Sequence, residues 1–104
     1  MKIIGTGRSH PSLVVTNEML SQILDTSDEW ITSRTGIKER RIISSENLED
    51  LAIDAAKKAL ADANMDAKDL DYIICANVVN EYVSPAMSCL IQGAIGAKCP
   101  CFDL

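Results

Sequence analysis

No apolar run in the 104 residues approaches membrane-spanning length. The apolar start, Ile3-Ile4, is broken at once by Gly5 and lacks the hydrophobic stretch of a secretory signal. Histidine occurs once, as His10, beside Pro11 in a segment that reads as a loop. A catalytic base needs a nucleophile beside it, and a lone loop histidine is more often a surface residue. Lys and Arg number 10 against 15 Asp and Glu, a net charge of −5, which argues against a nucleic-acid partner. The chain also lacks the second ligand pair that would turn Cys99-Pro100-Cys101 into a zinc site, so no metal is expected. Cys75 falls in an apolar strand and Cys89 in a helix, and both read as buried thiols of a cytoplasmic protein. No internal repeat, low-complexity tract or Pro-rich linker marks a boundary, and a 47% hydrophobic content suits one compact unit over residues 1–104.

What is present concentrates in Asp25 to Arg41, DTSDEWITSRTGIKERR. Thr26 followed by Glu29 has the spacing of a capping box, and Asp28 adds negative charge to a first helical turn. Gly36 supplies the left-handed residue that stops the helix. A helix over about Ser27 to Thr35 places Thr26, Trp30 and Arg34 on one edge at spacing four, and that edge carries the only Trp. An indole one turn from a guanidinium can be a stacking surface with an anion clamp, as an adenine nucleotide requires. The competing reading makes Trp30 a core anchor and Arg34 a solvated charge. Arg34, Lys38, Arg40 and Arg41 form a local basic group that suits a phosphate-bearing small molecule or an acidic carrier, or else a solvated strand end.

Along the rest of the chain, Lys2 to Thr6 reads as a short strand and Val14-Val15 as another. Thr16 or Asn17 is placed to cap a helix through Leu24, with Leu20, Ile23 and Leu24 inward. Ile37 to Ile43 suits an exposed strand or arm. Ser45 is the expected cap of the longest helix, whose stripe runs through Leu48, Leu51, Ala52, Ala55, Ala59 and Ala63, and whose alanines mean close approach by a neighbour. Asn64 can end it. Tyr72 to Ala76 is continuously apolar, the pattern of a parallel strand covered on both faces. Ser84 and Pro85 read as the cap and first residue of a helix that carries Met87, Leu90, Ile91, Ala94 and Ile95 inward and ends at Gly96. Cys101 to Leu104 begins a further strand, and a chain that stops there is expected to lack its covering helix and to leave apolar surface bare. The whole reads as an α/β chain.

The string DTSDEWITSRTGIKERR closely resembles the signature of the β-ketoacyl-(acyl-carrier-protein) synthase III family of thiolase-like condensing enzymes. KIIGTG, VVTNEML, LAIDAAKKALADANM, DYIICAN and SPAMSCLIQGAIGAKCPCFDL follow in the family's order. The resemblance implies a partial N-terminal portion of a layered thiolase-like fold, with a mixed sheet and covering helices, ending just before the nucleophile helix. It further implies an acyltransferase that uses a coenzyme A thioester as substrate, joins the acyl-CoA primer to a malonyl group on acyl carrier protein, and works as a homodimer. Residues matching the adenine side of the CoA site are Thr26, Trp30 and Arg34. The nucleophile is expected about four residues beyond Leu104, so no residue here is assigned as catalytic and the 104 residues alone are expected to be inactive. Cys101 resembles a packing position. Val79 to Ser84 matches the segment that lines the partner's acyl pocket, with Tyr82 and Val83 as its candidates, or else a solvated loop whose Tyr82 packs on its own helix. A starter enzyme of secondary metabolism and a self-associating fragment are the rival readings.

Overall fold

The structure is a computed structural model that describes residues 1–104. Its contacts group the chain into two compact units, His10–Glu46 and the pair Met1–Ser9 with Asn47–Leu104. Both joins fall in ordinary polar sequence, which is why composition does not mark them.

In the unit His10–Glu46, β1 (Leu13–Thr16) pairs antiparallel with β2 (Glu39–Ile42), Val15 facing Arg40. Between them lie α1 (Asn17–Ser21) and α2 (Asp28–Thr35). The Thr16 side chain caps α1 by accepting the Met19 N–H. That helix is shorter than expected: it turns at Gln22, and Ile23 and Leu24 stand in solvent rather than inward. The α2 cap is Ser27, whose hydroxyl accepts the Trp30 N–H at 3.1 Å, and not the expected Thr26. Thr26 belongs to the preceding turn, where its N–H meets the Leu24 carbonyl. Gly36 ends α2 at φ 72°, as the sequence predicts.

In the second unit, α3 (Leu48–Asp62) is capped by Asn47, which accepts the Asp50 N–H at 2.8 Å. The expected cap, Ser45, lies too early, because Glu46 is drawn back to the N–H groups of Ser12 and Ser44. Lys2 to Thr6 forms no strand. Instead the segment lies on α3, where Gly5 and Gly7 meet the backbone of Ala55 and Ala59 and the Thr6 N–H donates to the Asp62 carboxylate at 2.9 Å. A strand needs a partner backbone, and here a side chain takes its place. The alanine stripe does bring a neighbour close, but that neighbour is an extended segment with no Cβ at the crossing points.

β3 (Ile73–Cys75) pairs parallel with β4 (Cys101–Asp103), and α4 (Met87–Ile95) packs against both. Ala67, Ala97 and Cys99 form the buried centre, with Leu60, Leu70, Ile73 and Ile95 around it. Met87 and Ile91 of α4 are buried as expected, Ala94 is exposed, and the buried Ser88 was not anticipated. α4 starts at Met87, after an Ala86 that makes no side-chain cap bond, so Ser84 and Pro85 precede the helix instead of opening it. The expectation that β3 is covered on both faces fails: Tyr72, Ile74 and Phe102 stand exposed on one side, with the Tyr72 and Phe102 rings edge-to-face at 6.4 Å. Both pairings of a mixed sheet are thus present, as separate two-stranded ribbons.

Candidate functional site

Of the sequence-predicted site residues, Trp30 and Arg34 lie on α2, Arg34 in its last turn, and Thr26 lies in the turn just before it. Arg34 lies over the Trp30 indole, its guanidinium carbon 4.6 Å from the ring centroid, a cation–π contact between residues one helical turn apart. Trp30 is 55% exposed, so within these 104 residues its ring is not packed into a core. With Arg34 on one face of the ring, the other face is free to stack a flat group. Asp25, Thr26, Ser27 and Trp30 line an open cleft of about 300 Å³ beside it. The Thr26 hydroxyl oxygen is buried there without a hydrogen-bond partner, although the spacing argument treated it as a helix cap.

A second, more polar hollow of about 530 Å³ shares Thr26 and Ser27 and is completed by Thr16, Asn17, Glu18, Ser21, Asp28 and Lys38. Lys38 is the one cation on its wall. The other basic residues of the signature stretch do not act as a group. Arg40 turns inward, donating to the Val15 carbonyl at 3.1 Å and to the Asn17 side-chain oxygen at 2.5 Å.

Asn17 is the residue that sequence reasoning passed over. It is 1% exposed and its side-chain amide donates to Asp28 Oδ1 at 2.8 Å, to the Ile37 carbonyl at 2.7 Å and to Thr32 Oγ1 at 3.3 Å. Its side-chain oxygen accepts from Arg40 and its backbone N–H donates to the Lys38 carbonyl. One buried amide therefore ties α1, both ends of α2 and β2 together, and it fixes the helix that carries Trp30. Those bonds hold the Asp28 carboxyl below the usual carboxylate range, Asn17 first and Thr32 second. An Asn directly after a β-branched run offers only a capping signal in sequence, so its role as a hub was not visible.

In the other unit, Val83 is fully exposed and Tyr82 is half-exposed. Tyr82 borders a small hollow with Pro85, Met87 and Leu90, so it rests partly on its own helix. Asn77 donates to the Asn80 side-chain oxygen and Asn80 to Asp103 at 3.2 Å, which ties this loop to the end of β4. His10 is exposed and its ring meets only the Pro11 carbonyl, at 3.4 Å. No group of three or more His, Cys, Asp or Glu side chains is arranged to hold a metal ion.

No family model matches the sequence. A β-ketoacyl-[acyl-carrier-protein] synthase III of Clostridium acetobutylicum is 50% identical over 105 residues, a match that takes in 100% of this chain and 32% of that protein. The chain thus spans about a third of the length of the curated relatives it matches. Among solved structures, 3-oxoacyl-[acyl-carrier-protein] synthase III from Aquifex aeolicus superposes with a TM-score of 0.92 at 49% identity, over 99% of this chain and 34% of its own. The priming β-ketosynthase of the R1128 polyketide pathway superposes at 0.89 with 30% identity, over 99% and 31%. In sequence and in its α/β fold, the chain is similar to β-ketoacyl-[acyl-carrier-protein] synthase III proteins over about a third of their length.

Proposed function

We propose that the chain is the N-terminal portion of a condensing enzyme that joins an acyl-CoA primer to malonyl-(acyl-carrier protein), and that it supplies one wall of the coenzyme A site. The observation that carries this reading is the exposed Trp30 ring, backed on one face by Arg34 and flanked by the unpartnered Thr26 hydroxyl. The adenine stacks on the open indole face, Thr26 hydrogen-bonds near the base, and Arg34 and Lys38 face the phosphates. The names of the relatives support fatty-acid synthesis over a secondary-metabolic starter enzyme, since identity is 50% to the former and 30% to the latter.

The acyl carrier protein is the second partner on this reading, and the work takes place in the cytoplasm, in keeping with four unpaired thiols. No helix is long and apolar enough to cross a membrane. The exposed strip of Tyr72, Ile74, Phe102 and Leu104 supports self-association or homodimerisation, which size-exclusion chromatography tests: a monodisperse monomer at high concentration speaks against it.

One aromatic face contributes only about 1–3 kcal/mol of stacking, against the roughly 8 kcal/mol of micromolar affinity. The 104 residues are therefore expected to bind CoA weakly and to turn nothing over. The test is an NMR titration that follows the Trp30 indole N–H with CoA, with pantetheine as the arm that lacks the nucleotide. A shift saturating at millimolar CoA and absent with pantetheine is expected. Micromolar affinity would overturn the half-site reading, and no shift with either ligand would overturn the CoA assignment.

A further inference from the structure

Four free thiols are distributed unevenly over the second unit. Cys99 is buried at 8% exposure and Cys75 is half-buried on the inner side of β3. Cys89, in the first turn of α4, and Cys101, the first residue of β4, bring their sulfurs to 3.5 Å. They are the one thiol pair in hydrogen-bond contact, and they join two elements that already pack together.

We propose that Cys89 and Cys101 are a redox-active pair that closes into a reversible intrachain disulfide when the protein meets a small-molecule disulfide such as oxidised glutathione. To form the bond the sulfurs have to close from 3.5 Å to about 2.05 Å. The order of events follows from exposure. Cys89 is open to solvent and Cys101 is not, so Cys89 meets the small-molecule disulfide and attacks first. One sulfur of the glutathione disulfide bonds to Cys89 Sγ, the glutathione S–S bond breaks, and one glutathione leaves as thiolate and takes up a proton. Cys101 is half-buried, and that burial, together with the neighbouring Cys89 thiol, pushes its own thiol up and leaves it the slower partner. It then gives its proton to solvent and attacks Cys89 Sγ, expelling the second glutathione. Two protein thiols are oxidised and one disulfide is reduced to two thiols. The product staples β4 to α4 two residues from Asp103, the residue that caps α4. This proposal does not depend on the coenzyme A reading.

The experiment treats the reduced, folded protein with oxidised glutathione, alkylates the remaining thiols and determines the intact mass. Wild type, Cys75→Ala and Cys99→Ala are each expected to form one internal disulfide, at a rate independent of protein concentration and reversed by dithiothreitol. Cys89→Ala is expected to form none. Cys101→Ala is expected to stop at a glutathione adduct on Cys89, which is the signature of the assigned order. Where an alanine variant loses its far-UV circular dichroism, the serine variant replaces it. Loss of the link in Cys75→Ala or Cys99→Ala, a lasting glutathione adduct on wild type, or no reaction of wild type would each overturn the pairing.

Discussion

The Asp103 carboxylate accepts the backbone N–H of Ser88 at 2.8 Å and that of Met87 at 2.9 Å, so a strand caps the helix that packs on it. α4 has no side-chain cap of its own, and without Asp103 two N–H groups of its first turn lose their partner. Asp103→Ala is expected to speed amide exchange at Met87 and Ser88 by about tenfold, with Asp103→Asn in between because it keeps one acceptor oxygen. Exchange rates unchanged in Asp103→Ala would show that the cap contributes nothing.

Acid is expected to destabilise the unit His10–Glu46 through Glu46. Its carboxylate accepts the Ser12 N–H at 2.7 Å and the Ser44 N–H at 3.3 Å, and the Ser12 side chain, ahead of these backbone bonds, brings its pKa from 4.5 down to about 2. A depressed folded pKa gives stability that is fully present above 4.5 and drains away as pH falls toward about 2. Asp28, held low by Asn17 and Thr32, works in the same direction. Glu46→Gln should flatten the loss of stability between those two pH values in denaturant titrations, and an unchanged slope would contradict the assignment.

Asn17→Ala is expected to cost about 3 kcal/mol, because it strips partners from Asp28, Arg40 and the Ile37 carbonyl in a half-buried setting. Asn17→Asp should not rescue, since it sets a second carboxylate against Asp28. Urea unfolding measures both. A loss below about 0.5 kcal/mol for the alanine variant would mean that the amide is not the hub described.

Two glycines should answer the same substitution in opposite ways. A Cβ on Gly7 runs into the backbone of Ala55 and Ala59, so Gly7→Ala is expected to destabilise by about 2 kcal/mol. A Cβ on Gly93, inside α4, meets nothing within 4 Å, and Gly93→Ala should stabilise by about 0.5–1 kcal/mol through helix propensity. Thermal melts of the two variants decide it, and a neutral Gly7→Ala would place the N-terminal segment away from α3.

Sequence reading located what local chemistry decides. Gly36 and Gly96 stop their helices with positive φ, Asn64 takes φ 50° at the end of α3, and the apolar runs at β3 and β4 pair in parallel. Caps moved by one or two residues, from Thr26 to Ser27 and from Ser45 to Asn47, because neighbouring hydroxyl and amide groups compete for the same N–H. What was illegible is non-local. The Asp103 cap reaches back 15 residues to Ser88, Arg40 turns in to meet Asn17, and Lys2 to Thr6 has strand composition but no strand beside it. For the site, spacing four along α2 was enough to unite Trp30 with Arg34, whereas the free Thr26 hydroxyl appears only once its turn is built.

The scarcity of aromatic residues has a practical consequence. The sole indole, Trp30, belongs to His10–Glu46, while both tyrosines, Tyr72 and Tyr82, belong to the other unit. Fluorescence excited at the red edge of the absorption band thus reports on one unit and phenol absorbance on the other. A single unlabelled sample can reveal whether the two melt together or in succession.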